Sequence, residues 1–410
     1  MARTLDVYLL DDLAGHLVQD DGGEIVFDYA ESWLKRPGAT PLSQSLPLRK
    51  KRFKRKECRG FFGGILPEES KREIIARNLG ISARNDYAML ERIGGECAGA
   101  VTFLPSGEAP PERQYGYRTL TPEELGAILK ELPRRPLLAG DEGIRLSLAG
   151  AQDKVAVRLE NGEVCLPLGG APSTHILKPA VERFEGVVFN EALCMKLAAA
   201  AGVPAASVEA RNVGGLDYLL VERYDRIHDD RGLKRLHQED FCQAQGIVSE
   251  QKYQKEGGPS LKQCFALVRA ASSTPVLDLT RLLEAVIFNY LVGNNDAHGK
   301  NFALLYQEAG TRLAPVYDVV STLYYPDLSR EMAMKLGSEY ASENVTARDF
   351  EQLAEEAALG KPLVRRRVPE MAERVLAALP KVEIANPVAE KVVHLIRKRA
   401  EKVRERDARR

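Results

Sequence analysis

The chain of 410 residues has 58 basic and 58 acidic side chains, a formal net charge of zero, and 44% hydrophobic and 28% charged residues. These values are typical of a soluble globular protein of two or three domains, at roughly 100–200 residues per domain. They exclude a chain that binds nucleic acid through overall positive charge. There is no run of about 18 apolar residues and no amino-terminal signal peptide, so we expect a cytoplasmic protein without a membrane span.

The six cysteines and six histidines are scattered along the chain, and no Cys-x-x-Cys pair is present. Most of the cysteines lie in apolar segments, which predicts reduced core residues and gives no reason to expect a zinc site.

Residues 1–105 alternate short predicted strands with turns and contain one predicted helix at Glu68–Leu79. We interpret them as a small β-rich amino-terminal domain. Basic side chains cluster at residues 49–56 and again at residues 397–410. Such runs are usually solvated surfaces, and direct contact with DNA is the alternative interpretation.

Residues 106–225 form a second predicted unit, which is rich in strands. Within residues 145–158 a turn of small residues separates two alternating apolar stretches. The backbone amides of Ala149, Gly150 and Ala151 can approach phosphate oxygens there, and Lys154 adds a positive charge. A plain hairpin turn would give much the same pattern.

Three elements follow this turn. The predicted strand Ser173–Pro179 carries Lys178, which would either contact nucleotide phosphates or extend to the surface. Glu191 lies at the beginning of a helix predicted at Asn190–Gly202, where it would cap the first turn or pair with Lys178. A third element, the strand Leu216–Tyr224, ends at the position where a hinge between two lobes would present backbone groups to adenine, namely Glu222, Arg223 and Tyr224.

Residues 226–410 are predicted to be mostly helical, with a buried helix at Arg281–Val292. Gly257, Gly258 and Pro259 predict a mobile loop near the site. Two strands, at Phe302–Tyr306 and Thr311–Val316, are predicted to form a hairpin after the polar loop that follows the helix.

That polar loop, residues 293–304, carries the most informative spacing in the chain. Asp296 stands five positions before Asn301, as in a kinase catalytic loop, where the Asp accepts the proton of the attacking hydroxyl and the Asn holds magnesium. Seventeen residues later, Asp318 is placed to be a second metal ligand. A structural loop in which Asp and Asn form turns is the alternative.

A phosphate-binding turn, a strand lysine, a helix, a hinge strand, a catalytic Asp/Asn pair and a metal-binding Asp thus follow one another in kinase order. This order predicts a phosphotransferase that uses ATP and Mg²⁺.

These residues resemble the HipA family of serine/threonine-protein kinase toxins, from type II toxin–antitoxin systems. The resemblance covers nearly the whole chain, and its main motifs are Ile144–Lys154, Thr174–Lys178, Val188–Glu191, Val221–Arg226, Arg235–Asp240, Asn294–Asn301 and Tyr317-Asp318. It implies an α+β, protein-kinase-like two-lobed fold with a β-rich amino-terminal subdomain (1–105), a small lobe (106–225) and a mostly helical carboxy-terminal lobe (226–410).

The resemblance also implies roles for individual residues. Asp296 is the catalytic base, and Asn301 and Asp318 hold magnesium. Ser147 matches the site of autophosphorylation, where modification expels the loop and inactivates the enzyme. The residues implied to bind the nucleotide are Ala149, Gly150, Ala151, Gln152, Asp153, Lys154, Lys178, Glu222, Arg223, Tyr224, His298, Asn301, Tyr317 and Asp318.

The implied partners are a small DNA-binding antitoxin (HipB-like), operator DNA reached mainly through that antitoxin, and a protein substrate such as an aminoacyl-tRNA synthetase. A role in bacterial persistence is implied as well. Two alternatives remain open: a small-molecule or lipid kinase built on the same core, and a nucleotide-binding corepressor that acts mainly through an antitoxin. A gain of about 80 Da on Ser147 would favour the protein kinase.

Overall fold

The computed structural model of the protein describes residues 2–110, 116–229 and 232–408. They divide into two compact units: the first comprises Met1–Pro179, Arg211–Glu250 and Leu305–Gln307, and the second Ala180–Ala210, Gln251–Leu304 and Glu308–Arg410. Strands dominate the first unit and helices the second. The predicted class, with a β-rich amino-terminal part and a mostly helical carboxy-terminal part, is therefore confirmed.

The strands are numbered in chain order. They are β1 (Arg3–Leu9), β2 (Asp12–Gln19), β3 (Ile25–Tyr29), β4 (Glu96–Cys97), β5 (Val101–Pro105), β6 (Gly116–Thr119), β7 (Leu146–Ser147), β8 (Val155–Glu160), β9 (Glu163–Leu168), β10 (His175–Pro179), β11 (Val208–Val213), β12 (Leu216–Glu222), β13 (Arg226–Asp229), β14 (Gly232–Arg235), β15 (His237–Asp240), β16 (Ala303–Gln307), β17 (Gly310–Leu313), β18 (Glu331–Leu336) and β19 (Glu339–Ala341).

The helices are numbered in the same way. They are α1 (Glu31–Lys35), α2 (Arg55–Gly64), α3 (Glu69–Asn78), α4 (Asp86–Ile93), α5 (Pro122–Glu131), α6 (Val187–Ala200), α7 (Phe241–Ala244), α8 (Leu261–Ala271), α9 (Pro275–Val292), α10 (Ala347–Glu356), α11 (Lys361–Ala378) and α12 (Pro387–Ala408).

Two sheets organise the first unit. One has the order β3-β2-β1-β5, and alternate residues of β1 (Leu5, Val7 and Leu9) are fully buried against the core. The other has the order β11-β12-β10-β8-β9-β6, where residues 211–213 of β11 belong to this unit. Asn161-Gly162 joins β8 to β9 with φ of 51° and 87°. This is the two-residue turn that matches the twist of a hairpin.

The stretch 145–158 is not a hairpin, so that alternative is wrong. Strand β7 pairs in parallel with β4, whereas β8 pairs with β9 and β10. The two apolar stretches therefore enter different sheets, and the small residues between them connect the sheets.

In the second unit, helices α6, α9, α11 and α12 pack against one another, and α8 packs on α9. Helix α8 begins with a capping box, because Ser260 Oγ accepts from the backbone N–H of Gln263 at 3.3 Å and Gln263 Oε1 accepts from the backbone N–H of Ser260 at 2.9 Å. None of the helices in the described ranges is both long and apolar enough to cross a membrane.

The predicted helices and strands are present, with shifted boundaries. The helix predicted at Arg281–Val292 begins six residues earlier, at Pro275. The helix predicted from Asn190 begins at Val187, after a left-handed Gly186. Glu191 consequently lies in the second turn, and the interpretation of Glu191 as a first-turn cap is wrong. All six cysteines are buried and free, which confirms that they are reduced core residues.

Candidate active site

The loop that carries Asp296 starts where α9 ends, at Gly293. This residue has a φ of 73°, and its backbone N–H donates to the carbonyl of Tyr290 at 3.2 Å. A Cβ atom at this position would lie 2.9 Å from Cδ1 of Leu323. Glycine is therefore required both by the left-handed backbone and by the close packing.

Two asparagines fix the backbone of the loop. The side chain of Asn294 donates to Oδ1 of Asn289 at 2.7 Å and accepts from the backbone N–H of Asp296 at 3.1 Å. Asn295 donates to the carbonyl of Arg330 at 2.9 Å, and its own carbonyl accepts from Ala333 at 2.7 Å. Both asparagines are buried. Hydrogen bonds to other protein groups thus fix the backbone of the loop, as preorganised catalytic geometry requires.

Asp296 is exposed, whereas its neighbours Asn295, His298 and Asn301 are buried. A general base must be reachable by the hydroxyl whose proton it takes, and this exposure meets that requirement. Oδ1 of Asp296 accepts a hydrogen bond from the hydroxyl of Tyr253 at 2.9 Å.

Asn301 and Asp318, the two predicted metal ligands, lie side by side. Nδ2 of Asn301 is 3.3 Å from Oδ2 of Asp318, and Oδ1 of Asn301 accepts from the backbone N–H of His298 at 3.1 Å. Asp318 has a φ of 59°, a left-handed conformation that among residues other than glycine is adopted most often by Asn, Asp and His. Residues in this conformation occur in turns and are also enriched at functional sites.

The donor set of Asn301 and Asp318 fits magnesium. A carboxylate and an amide oxygen are hard oxygen ligands, and an amide oxygen that accepts one hydrogen bond keeps a second lone pair. In the described ranges, no group of three or more His, Cys, Asp or Glu side chains could hold a metal. Two protein ligands are nevertheless enough for magnesium at a nucleotide, because substrate phosphates and water supply the other ligands.

Two other predicted residues lie in the same loop region. The ring of His298 meets the ring of Tyr253 edge-on, with 5.4 Å between centroids. The hydroxyl of Tyr317 donates to the carbonyl of Lys300 at 2.7 Å, which ties the segment just before Asp318 to the catalytic loop. The second unit thus brings together Asp296, His298, Asn301, Tyr317 and Asp318.

The first unit holds the other predicted residues, beginning with the turn from Ala149 to Lys154. Nζ of Lys154 donates to the carbonyl of Ala149 at 2.8 Å, so the lysine closes the turn. Gly150 has a φ of 110°, and a Cβ atom there would lie 2.6 Å from Nζ of Lys154. Only glycine therefore allows the lysine to fold back over this turn.

Asp153 is anchored differently from its neighbours in the turn. It is buried, and Oδ2 of Asp153 accepts from Nζ of Lys71 at 2.7 Å. Ala151 and Gln152 are half-buried, so they remain accessible at the edge of the turn. The side chain of Asp153 consequently anchors the turn to Lys71.

Ser147 is fully buried in β7, just before the turn. Its hydroxyl donates to the carbonyl of Ile65 at 3.1 Å, and Ser147 pairs with Cys97 of β4. A kinase cannot reach a hydroxyl in this position unless β7 leaves the sheet.

Lys178 lies near the end of the central strand β10, opposite Leu219 of β12, and is 6% exposed. Glu222 pairs with His175 at the other end of the same ladder. The backbone N–H of Arg223 donates to the carbonyl of Thr174 at 2.9 Å. The predicted hinge segment is therefore the continuation of β12.

The side chain of Arg223 belongs to a buried ionic cluster with Glu96, Asp225 and Arg226. Nη1 of Arg223 lies 3.0 Å from Oε2 of Glu96, and its Nη2 lies 2.9 Å from Oδ2 of Asp225. Burial raises the pKa of Glu96, but the two arginines outweigh this effect and hold the pKa below its usual value. The cluster ties the predicted hinge to β4 and holds the side chain of Arg223 away from any ligand.

We expect Glu96→Ala to destabilise the protein by about 3–5 kcal/mol, because two buried guanidinium groups would then share the single carboxylate of Asp225. Thermal or urea unfolding measures this loss. Glu142→Ala, which removes an exposed carboxylate in the same unit, is the control and should change stability by less than about 0.5 kcal/mol. Equal stability of the two variants would mean that the cluster contributes nothing to folding.

No role for Tyr253, Asn294 or Asn295 was predicted from the sequence. The asparagines lie inside the motif that the Asp296–Asn301 spacing singles out, and their adjacency to Gly293 was an available signal. Tyr253 lies 43 residues before Asp296. The one signal for it in the sequence was the loop predicted near the site at Gly257 and Gly258, a few residues after Tyr253.

Two family descriptions match this chain. The HipA N-terminal domain matches residues 5–104, and the HipA-like C-terminal domain matches residues 146–381. The chain is similar to the serine/threonine-protein kinase toxin HipA of Shewanella oneidensis, with 30% identity over 93% of this chain and 91% of that protein. It is also similar to the protein Y4mE of Sinorhizobium fredii, with 49% identity over 93% of this chain and 92% of that protein.

A solved structure extends the similarity to the fold. It is the Shewanella oneidensis toxin–antitoxin complex of HipA, HipB and operator DNA, whose matching chain has a TM-score of 0.85 and 27% identity. The match covers 99% of each chain.

Proposed function

Because this chain belongs to the HipA family, which includes a serine/threonine-protein kinase toxin, we propose that it is an ATP- and Mg²⁺-dependent serine/threonine protein kinase and the toxin of a toxin–antitoxin pair. One observation carries the proposal. Asp296 is exposed in the catalytic loop, and the side chain of Asn301 in the same loop lies next to the side chain of Asp318. ATP and the proposed protein substrates are cytoplasmic, so we also propose that it acts in the cytoplasm.

In the proposed reaction, Asp296 accepts the proton of a serine or threonine hydroxyl. The hydroxyl oxygen forms a bond to the γ-phosphorus of ATP, the bond from that phosphorus to the bridging oxygen breaks, and ADP leaves. Magnesium, when held by Asn301 and Asp318, would neutralise charge on the phosphates. Lys178, Lys154 and the amides of the turn Ala149–Asp153 would bind phosphate oxygens.

Three further assignments belong to the proposal. Backbone groups of Glu222, Arg223 and Tyr224 would bind adenine. His298 and Tyr317 would line the nucleotide site. The boundaries near residues 105 and 225 would separate an amino-terminal subdomain and a small lobe from the helical part of the chain.

Removing the carboxylate of Asp318 should weaken ATP binding mainly when magnesium is present. Loss of a charged ligand costs about 1.5–3 kcal/mol, so Asp318→Ala should reduce the affinity for ATP by about tenfold or more with Mg²⁺ and much less with EDTA. Isothermal calorimetry with and without the metal measures both affinities. The same loss under the two conditions would exclude Asp318 as a metal ligand.

The proposed partner is a small, dimeric, DNA-binding antitoxin of the HipB type, which would carry operator recognition. Support comes from the solved HipA–HipB–operator complex of the similar Shewanella protein. Dimeric antitoxins on palindromic sites would make the complex symmetric.

The isolated chain should therefore bind operator DNA weakly, with an affinity that falls steeply as salt increases, because its net charge is zero and only local basic clusters can contact phosphates. Addition of the antitoxin should give tight, sequence-specific binding in an electrophoretic mobility assay. Tight, sequence-specific binding by the chain alone would contradict this division of labour.

The substrate that we propose is a protein of the translation machinery, such as an aminoacyl-tRNA synthetase. Phosphorylation of such a protein would slow growth and would account for toxicity and a role in persistence. Incubation with labelled ATP and a lysate, followed by identification of the labelled proteins, would test this assignment. Labelling of lipids or small molecules alone would favour the other class of kinase.

A further inference from the structure

We propose that Tyr253 is a positioning residue for the catalytic base, which it holds through its hydroxyl in a fixed orientation. This inference rests on the proposed function of Asp296 and adds a residue that acts through it. The observation is the hydrogen bond of 2.9 Å from the hydroxyl of Tyr253 to Oδ1 of Asp296.

Asp296 needs such a partner because its side chain is exposed. An exposed carboxylate can rotate among several rotamers, and a base that rotates meets the substrate hydroxyl in the right geometry only part of the time. A carboxylate has about four acceptor positions on two oxygens. The hydrogen bond from Tyr253 uses one of these positions and orients the carboxylate through Oδ1.

Tyr253 can hold Asp296 because its own position is fixed. Its ring meets the ring of the buried His298 edge-on, at 5.4 Å. The carbonyl of Tyr253 accepts from the backbone N–H groups of Glu256 and Gly258, both at 2.9 Å. A Cβ atom on Gly258 would lie 2.4 Å from the carbonyl oxygen of Gln251, so only glycine permits this compact turn.

The residues after Tyr253 attach the turn to β18 and β19. Oε1 of Gln254 accepts from the backbone N–H of Lys335 at 3.0 Å. Nζ of Lys255 lies 2.5 Å from Oε2 of Glu331 and 4.5 Å from the centre of the Tyr340 ring. These contacts to neighbouring strands favour a turn that stays in place over one that moves away from Asp296 when the substrate binds.

The alternative role of Tyr253 is obstruction. A phenol hydroxyl on the catalytic carboxylate occupies one position that a substrate hydroxyl could use, so removal of an obstructing hydroxyl would speed the reaction. A positioning hydroxyl has the opposite effect, and the sign of the change in kcat separates the two roles.

The kinetic test compares the wild-type protein with Tyr253→Phe and with Tyr340→Phe. Tyr340 is a half-buried tyrosine of the same unit and serves as the matched control, because Tyr340→Phe removes a hydroxyl but keeps the ring that contacts Lys255. We expect Tyr253→Phe to lower kcat for phosphate transfer by about tenfold or more, with the KM for ATP unchanged. Tyr340→Phe should resemble the wild type in both quantities.

A second measurement, by NMR, does not depend on kinase activity. Tyrosine is labelled with ¹³C at Cζ, and the signal of Tyr253 is identified because it is missing from the spectrum of Tyr253→Phe. We expect it to shift in Asp296→Asn, while the signal of Tyr340 stays in place.

The outcomes are distinct. If the wild type transfers no phosphate but the Tyr253 signal shifts in Asp296→Asn, the proposed kinase function fails and the contact stands, with no catalysis for Tyr253 to support. An active wild type whose kcat is unchanged or raised by Tyr253→Phe would overturn the positioning role. An unshifted Tyr253 signal would overturn the contact itself.

Discussion

An Asp296→Asn variant should lose phosphate transfer by roughly 10²–10⁴-fold, the usual contribution of a general base. Asparagine has nearly the same size as aspartate but cannot accept a proton from the attacking hydroxyl. The loop should keep its shape, because Asn294 and Asn295 fix its backbone through hydrogen bonds that do not involve the Asp296 carboxylate. Transfer of radioactive phosphate from ATP measures the rate.

The control is Asp327→Asn, which changes an exposed carboxylate elsewhere in the same unit and should retain full activity. Both variants should unfold at the wild-type temperature, and Asp296→Asn should still bind ATP in part, because Asn301 and Asp318 are intact. Transfer by Asp296→Asn at the wild-type rate would remove Asp296 from the proposed catalytic site.

Phosphorylation of Ser147 should reduce the affinity for ATP severely. The hydroxyl of Ser147 is fully buried and donates to the carbonyl of Ile65, so a phosphate group with a charge of about −1.5 to −2 cannot be accommodated there. Strand β7 must then leave β4. The turn from Ala149 to Lys154 begins two residues later and would lose its geometry with it.

The affinity for ATP should be compared between the phosphorylated protein and the same protein after phosphatase treatment. Ser147→Ala is the matched variant. It removes one buried hydrogen bond at a cost of about 1–3 kcal/mol, because the carbonyl of Ile65 is left without its partner, and it should keep ATP binding. Equal affinities before and after dephosphorylation would mean that Ser147 does not control the turn.

The catalytic loop could be predicted from the sequence because its information is local. Asp296 and Asn301 lie within six residues, the loop follows an apolar helix, and Gly293 marks the end of that helix. Asp318 could be added because one short hairpin separates it from the loop. The backbone N–H of Ala314 donates to the carbonyl of Ala303 at 2.9 Å, as that hairpin requires.

Features that depend on partners distant in the chain could not be predicted. The partner of Ser147 is Ile65, 82 residues away, so the sequence could not indicate that its hydroxyl is buried. Arg223 was predicted beside a nucleotide, but its side chain is held by Glu96, 127 residues away. No spacing rule connects such pairs, because the packing of sheets decides which residues meet.

The sequence predicted the presence of helices α6 and α9 correctly but not their first residues. Helix α6 extends back to Val187, and Val187 and Val188 are both buried. Buried apolar residues occur in helices, strands and loops alike, so their apolar character did not reveal where the helix begins. The left-handed Gly186 is the N-cap that precedes the first residue of α6. A Cβ atom there would lie 2.6 Å from Val388, a contact that only the folded chain reveals.

The most direct test of the proposed kinase function is intact-mass spectrometry of the purified protein after incubation with ATP and Mg²⁺. The wild type should gain about 80 Da per phosphate, with the modification mapped to Ser147, and a phosphatase should remove it. Asp296→Asn, treated in the same way, should gain nothing. An unmodified wild type that also transfers no phosphate to its antitoxin or to lysate proteins would contradict the proposed kinase activity, and so would equal modification of both proteins.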